Sequence, residues 1–127
     1  MGQQQLLLIV LGVIIVGIAV VVGINLFNAA AISANRDSVI SDLNNLGAIS
    51  LQYYKKPLSM AGGGNTFTGW TIPTGLASTF NGTYIATPAA QSVVIVGTGT
   101  ETGNNGSSNV QATATVYPDS IRTAINN

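Results

Sequence analysis

The chain begins with a long apolar stretch that has almost no polar interruption. Residues 6–26 read LLLIVLGVIIVGIAVVVGINL, and Asn25 is the one polar residue among them. At 1.5 Å per residue, about 20 apolar residues of α-helix cross the hydrocarbon core of a bilayer. Because apolar positions surround this helix, it must be buried on every side, in lipid or among other helices. The pattern therefore predicts a membrane anchor over residues 6–26.

A secretory signal peptide is the alternative interpretation of this stretch. Such a peptide has a basic start, a shorter apolar run and a small-residue cleavage site. Here no Lys or Arg precedes Arg36, and the apolar run is longer than a signal peptide needs. The sequence therefore favours an anchor that is kept.

The pattern changes to one apolar face between residues 28 and 56. Apolar residues recur there mostly at steps of three and four, as on one side of a helix. They are Ile32, Val39, Ile40, Leu43, Leu46, Ile49 and Tyr53. Pro57 is a stop signal, because the residue before a proline disfavours the helical conformation. We expect one continuous helix from about Gly2 to Lys56, with Gly47 as its weak point.

The remainder of the chain has short strand-like segments separated by Gly-rich connections. The predicted strands are residues 65–72, 78–87, 91–98 and 109–117. In the last of these, Val110, Ala112, Ala114 and Val116 alternate with polar residues, which predicts one buried face. Residues 91–98 are predicted to be the most buried strand. Residues 57–65 are predicted to be a flexible connection and residues 99–108 an exposed loop, whereas residues 121–127 are left unassigned.

These elements predict an α+β fold with a long N-terminal helix and a small C-terminal antiparallel β-sheet. Short connections favour a meander, and the sheet has only the apolar stripe of the helix to pack on. The predicted division is residues 1–56 for the helix and residues 57–127 for the β domain.

The amino-acid composition excludes most kinds of catalysis and metal binding. The chain has four basic and four acidic residues, no Cys and no His, so thiol and imidazole catalysis, zinc clusters and disulfides are absent. The acids Asp37 and Asp42 are five residues apart and are not neighbours on a helix face. Net charge near zero gives no footprint for nucleic acid. We expect neither an enzyme nor a bound cofactor or metal.

The apolar helix that continues as an amphipathic half and ends in a small antiparallel sheet resembles the type IV pilins and their relatives. The resemblance covers Gly2 to about Lys56 well and the sheet in outline. It implies a structural subunit that a pilus-type assembly machinery moves from the inner or cytoplasmic membrane into an extracellular homopolymer. Such a filament would serve adhesion, motility or surface coating. The implied mature chain is either already trimmed or begins at Gly2 after loss of Met1.

In the implied filament the N-terminal helices of neighbouring copies bundle in the core, and the β domains form the outer wall. The expected core-interface residues are the apolar and small side chains of the first helix half. They are Leu6, Leu7, Leu8, Ile9, Leu11, Gly12, Val13, Ile14, Val16, Gly17, Val20, Val21, Gly23, Ile24 and Phe27. The glycines among them would allow close contacts between helices, although incidental glycines in a plain anchor fit the sequence too.

Two other functions remain open from the sequence. One is a single-span anchored surface protein that carries a small binding domain. The other is a minor pseudopilin of a secretion or uptake machine. The unbroken passage from anchor to amphipathic helix favours the filament subunit.

Two sequons are candidate glycosylation sites. Asn81-Gly82-Thr83 and Asn105-Gly106-Ser107 both fall in predicted turns, where an acceptor is exposed. Asn-Gly is also a common turn sequence in its own right, so these matches have a purely structural alternative.

Type IV pilins carry a glutamate near the start of the mature helix, whereas this chain has Gln3, Gln4 and Gln5 there. A helix start leaves about four N–H groups unpaired, and a buried terminal ammonium needs partners. The three glutamine carbonyls are candidates to accept from both as a polar cap. A polar collar at the membrane surface is the simpler interpretation.

Changing Gln3, Gln4 and Gln5 together to Leu is expected to impair filament assembly, because the buried donors at the helix start would lose their acceptors. The yield of filaments sheared from cells measures the effect. Normal yield would contradict the polar-cap hypothesis.

Overall fold

The structure is a computed structural model that describes residues 2–127. It contains one α-helix, two short 3-10 turns and five β-strands. The helix α1 spans Gly2–Lys55, and the 3-10 turns span Leu58–Met60 and Thr74–Leu76. The strands are β1 (Ser78–Thr79), β2 (Gly82–Pro88), β3 (Val93–Thr102), β4 (Asn109–Tyr117) and β5 (Ser120–Ile125). The α+β class predicted from the sequence is confirmed.

The five strands form one antiparallel sheet in the order β1-β2-β3-β4-β5, which is the predicted meander. The central pair, β3 and β4, is in register from Val93 opposite Val116 to Thr98 opposite Gln111. The register then shifts, because Thr102 lies opposite Asn109. β3 therefore carries two extra residues near its end, which form a bulge.

The chain consists of two compact units, and the boundary between them lies within α1. The described residues up to Ala31 form one unit, and Ile32–Asn127 form the other. The second unit, called the head domain below, includes the sheet and the amphipathic part of α1. The helix residues that carry the core belong to it, so the head domain begins before the predicted boundary at residue 56.

The core of the head domain lies between one face of the helix and one face of the sheet. Val39, Leu43 and Leu46 of α1 are 0–2% exposed, and they are members of the predicted stripe. The sheet contributes its inward residues, as the alternation in β4 predicted. They are Tyr84, Val93, Ile95, Val110, Ala112, Ala114 and Val116. The predicted packing of the sheet on the helix stripe is confirmed.

Small residues bring the helix and the sheet close together. A Cβ atom on Gly97 would lie 2.9 Å from the Val39 side chain, and one on Gly47 would lie 3.0 Å from that of Ile121. Gly47, the weak point of the predicted helix, is therefore a contact residue of β5. Its cost in helix propensity, about 1 kcal/mol relative to Ala, is offset by this close approach.

The glycines after the helix cap its C-terminal end. The N–H groups of Gly63 and Asn65 donate to the carbonyls of Tyr53 (2.7 Å) and Tyr54 (2.8 Å). A Cβ atom on Gly62 would lie 2.2 Å from the Cβ of Lys56, so only glycine permits this approach. The segment predicted as a flexible connection is instead a specific cap for carbonyls that a helix end leaves unpaired.

The predicted strand over residues 65–72 is wrong. Trp70 N–H donates to the Phe67 carbonyl, and Gly69 has φ +86°, so the segment turns. Phe67 and Trp70 are both buried, and the Phe67 ring lies 4.7 Å from that of Tyr54. Two large rings fill one end of the core, and this burial outweighs the β propensity of the segment.

Three other segments of the β domain also differ from the sequence prediction. The predicted strand 78–87 is a hairpin, because Phe80 and Asn81 form a turn between β1 and β2. β3 continues to Thr102, so the predicted loop 99–108 shortens to residues 103–108, and Gly99 and Gly103 are buried. The unassigned C-terminal residues supply β5, which pairs with β4 from Ala112 opposite Ile125 to Tyr117 opposite Ser120. Pairing with β4 stabilises this strand, although its own sequence does not alternate clearly between apolar and polar residues.

Replacing Leu43 with Ala is expected to lower the free energy of unfolding by about 2–5 kcal/mol, because it leaves a cavity at the centre of the core. Urea unfolding of the full chain in mild detergent, followed by the fluorescence of buried Trp70, measures the change. Asn45→Ala on the exposed helix side is the matched control and should stay within about 0.5 kcal/mol of the parent chain. Equal effects at both positions would contradict this assignment of the core.

Candidate functional site

The first candidate site is the surface of α1 before residue 32. Every large apolar side chain from Leu6 to Phe27 is between 50% and 81% exposed within this chain. The helix is long and apolar enough to span a membrane, and none of its most apolar window is buried. An apolar surface of this extent is not stable in water and marks a membrane or protein contact.

All the predicted core-interface residues lie on this surface. At Gly12, Gly17 and Gly23 an added Cβ atom would meet nothing within 4 Å in the described part of the chain. No contact inside residues 2–127 therefore explains these glycines. Close contact with another helix stays a prediction for these glycines, and incidental glycines in a plain anchor fit the structure too.

The predicted polar cap lies in the first helical turn. α1 begins at Gly2, and its first turn contains no acidic residue. Gln3, Gln4 and Gln5 are all exposed. The structure thus places the glutamines at the helix start, beside backbone donors that a helix leaves unpaired.

The head domain contains a second polar site, centred on the carboxylate of Asp42. Its Oδ2 atom accepts hydrogen bonds from Tyr84 Oη (2.5 Å), Asn81 Nδ2 (3.0 Å) and Thr79 Oγ1 (3.3 Å). These three donors belong to the β1–β2 hairpin. A single helix carboxylate therefore fixes the hairpin on α1. Hydrogen bonds to an ionised acceptor are stronger than those between neutral groups.

The environment of Tyr84 keeps its hydroxyl protonated. Burial raises the pKa of Tyr84 well above its ordinary value, and the hydrogen bond and negative charge of Asp42 raise this pKa further. A protonated hydroxyl is the form that can donate to Asp42. Asp42 and Tyr84 act here as a structural pair.

Asn35 forms a comparable polar contact about two turns earlier on α1. Its Nδ2 donates to the Asn81 carbonyl at 2.9 Å. Its Oδ1 accepts from the N–H groups of Thr100 (3.0 Å) and Glu101 (3.3 Å), which lie in the β3 bulge. A Cβ atom on Gly99 would lie 2.1 Å from this oxygen. The bulge thus turns two backbone N–H groups toward the Asn35 side chain, and glycine at position 99 leaves room for its oxygen.

The two sequons have different environments. The Asn81 side chain is half-buried and its nitrogen is engaged with Asp42. Asn105 is exposed, and its Oδ1 accepts from the N–H groups of Ser107 (3.0 Å) and Ser108 (2.9 Å). Modification of Asn81 would break the hairpin contact, so Asn105 is the better acceptor. Glycosylation stays a prediction for both.

Sequence reasoning missed the roles of Asn35 and Asp42. By sequence, Asp42 is compared only with Asp37, and the five-residue spacing excludes these two as neighbours on a helix face. One signal was available, because Asp42 adjoins Leu43 and lies three residues after Val39, at the margin of the buried stripe. A carboxylate at such a margin needs a partner from whatever packs on the stripe.

Among residues 2–127 no group of three or more Asp, Glu, His or Cys side chains is arranged to hold a metal ion. Comparison of the chain with protein-family models, with curated proteins and with solved structures finds no match.

Replacing Tyr84 with Phe is expected to lower the free energy of unfolding at neutral pH by about 1.5–3 kcal/mol, because Asp42 loses its shortest hydrogen bond. Tyr117→Phe, at an exposed tyrosine, is the matched control and should have little effect. Both are measured by urea unfolding in detergent. An unchanged Tyr84→Phe variant would show that the pair adds no stability.

The same pair predicts a loss of stability in alkali. Below about pH 10 the Tyr84 hydroxyl is protonated in both folded and unfolded chains, so the full stability is present. Above that pH the unfolded chain releases this proton while the folded chain retains it, and the free energy of unfolding falls. The stability difference between the parent and Tyr84→Phe chains should therefore shrink from pH 9 to pH 11. A constant difference across this range, about two pH units around the ordinary pKa of tyrosine, would contradict the prediction.

Proposed function

We propose that this chain is the structural subunit of an extracellular pilus-like helical filament, a homopolymer that a pilus-type machinery assembles from membrane-held monomers. The observation that carries the proposal is the apolar surface of α1 from Leu6 to Phe27, with Asn25 as its one polar residue, which has no partner within the described chain. In the filament this surface packs against the same surface of other copies. The head domains form the exterior.

The energetics support a filament that is hard to assemble and hard to dissolve. Transfer of the helix from lipid to a helical bundle exchanges one apolar environment for another, so the hydrophobic effect contributes little at this step. Work from an assembly machine is then needed for extraction. Outside the membrane the alternative environment is water, and each large apolar side chain that stays buried contributes about 1.5–3 kcal/mol against dissociation.

The head domain suits an outer wall that packs against its own copies. Its outward sheet face carries mainly Thr and Val from the central strands, including Val94, Val96, Thr113 and Thr115, all half-buried. Charges are sparse, and surfaces of low charge tend to associate.

The second candidate is a single-span anchored protein with the same head domain. The apolar surface fits a lipid contact equally well, so the two functions differ in what covers residues 6–26 outside the membrane. Continuation of one α-helix from Gly2 to Lys55 favours the filament, because a simple anchor does not require its helix to continue into the domain that it carries. A minor pseudopilin would differ only in the number of copies assembled.

Negative-stain imaging of material sheared from cells that produce this chain is the direct test. We expect filaments that contain the chain and that survive molar salt but dissociate in detergent, because their core is apolar. Monomers found only in the membrane fraction would overturn the filament proposal in favour of the anchored protein.

A labelling experiment tests the buried surface itself. The chain has no Cys, so Val16→Cys and Thr87→Cys each introduce one thiol. In sheared, lipid-free filaments Val16→Cys should resist a water-soluble maleimide until detergent is added, whereas Thr87→Cys, on the exposed outward face of β2, should react at once. Rapid reaction of Val16→Cys in intact filaments would show that copies of the helix do not cover one another.

A further inference from the structure

The charges of the head domain are separated between its two ends. All eight charged residues of the chain lie between Arg36 and Arg122, within the head domain. We propose that consecutive copies in the filament contact each other head to tail, with the acidic end of one head domain against the basic end of the next. This inference rests on the proposed filament and names the contact that its outer wall uses.

The acidic end is the end at which the head-domain part of α1 begins. It has three acids, Asp37, Asp42 and Glu101, against one base, Arg36. The hydrogen bonds of Asn35 bring the Glu101 backbone and the hairpin turn to this end of the helix. Arg36 donates to Asn104 Oδ1 at 2.7 Å, which places the β3–β4 loop there too.

The basic end is the other end of the same domain. It has two bases, Lys55 and Lys56, against one acid, Asp119. Lys55 ends α1, about 28 Å along the helix from Arg36. Arg122 lies between the two ends, because its neighbours Ile121 and Thr123 contact Gly47 and Asn44 near the middle of this part of α1. Asp119 lies in the β4–β5 turn.

An exposed aromatic ring lies at the acidic end, and a cavity lies at the basic end. Phe80, in the turn of the β1–β2 hairpin, has its side chain fully exposed (103%). Such exposure of an aromatic ring is costly in water. Its neighbour Asn81 is bonded to Asn35 and Asp42, so the ring is held at the acidic end by a fixed turn.

The cavity lies beside Trp70 at the basic end and has a volume of about 260 Å³. Its lining includes Ile49, Tyr53, Lys56, Ala61 and Trp70. Gln52 and Thr71 also line it, so it is an open pocket of mixed polarity. An enclosed apolar cavity of about 150 Å³ can hold benzene, so this pocket has room for a phenyl ring by volume. The two nearby aromatic rings and the Lys56 cation suit an aromatic guest.

Two different surfaces at opposite ends can meet only in a heterologous contact. Such a contact leaves one free ring and one free cavity at each step, so it continues as an open chain when the rotation does not close a ring of copies. A second copy of this chain is therefore the occupant that both the charges and the cavity fit. Contacts between exposed charges weaken as salt is added, whereas the apolar filament core does not depend on them.

Charge exchange between the two ends tests the proposal. Glu101→Lys or Lys56→Glu alone should lower the yield of sheared filaments several-fold at low salt, and the double exchange should restore it. Both side chains are exposed, so folding should persist, and Trp70 fluorescence checks this. Glu101→Lys combined with Ile85→Glu and Thr87→Glu is the control, because it restores the net charge on the exposed outward face of β2, between the two ends, and should not restore the yield. Equal yields in all variants, or rescue by this control, would overturn the head-to-tail contact.

Crosslinking of paired cysteines gives a second readout. Phe80→Cys with Ala61→Cys should give a ladder of covalent multimers when filaments are treated with a short bismaleimide. Phe80→Cys alone should give none. Dimers from Phe80→Cys alone would indicate that two rings meet in a symmetric contact, which overturns the proposal. Normal filaments without a ladder would overturn it and leave the filament function intact, whereas a parent chain that makes no filaments would overturn both.

Discussion

The rest of this protein depends on one constraint, which is that a helix apolar on every side cannot remain in water. Between Leu6 and Phe27 there is no polar face that could be turned to solvent, and nothing in the described chain covers the segment. Its side chains must be covered by lipid or by other proteins at each stage of the life of the molecule. In the proposed function, lipid covers the segment in the membrane-held monomer and neighbouring copies cover it in the filament. The transfer from membrane to filament is the step that needs an external source of work.

The head domain packs its core on the second half of the same helix. It is small, and most of its core depends on a single apolar stripe facing two central strands. Glycines at positions 47 and 97 allow close packing, and large rings at positions 67 and 70 close one end of the core. Polar side chains at the margin of the stripe then fix the hairpin and the bulge. Asp42 and Asn35 each bind groups from distant parts of the chain, so the sheet edge is held by hydrogen bonds where apolar contact ends.

This arrangement gives the head domain two unlike ends. The contacts of Asn35 and Asp42 hold Phe80 and the acidic residues at one end, and the capped helix terminus presents Lys55 and Lys56 at the other. The proposed contact between copies pairs these two ends. In the proposed filament the apolar core provides the resistance to dissociation, whereas contacts between head domains define how one copy follows the next.

The sequence by itself determined the long helix, its change from apolar to amphipathic near residue 28, the buried stripe through Val39, Leu43 and Leu46, and the alternation in β4. These features are periodic and local, so each can be recognised from spacing alone. Only the tertiary structure decided that residues 65–72 turn inward instead of forming a strand, that β5 exists, and that Asp42 and Asn35 bind the sheet. The turn after the helix and the contacts of Asn35 join groups that are 15 to more than 60 residues apart in the chain. β5 pairs with nearby β4, but it also packs on Gly47, far away in the sequence. Such partners meet only after the chain has folded, and no local pattern records which of them will be adjacent.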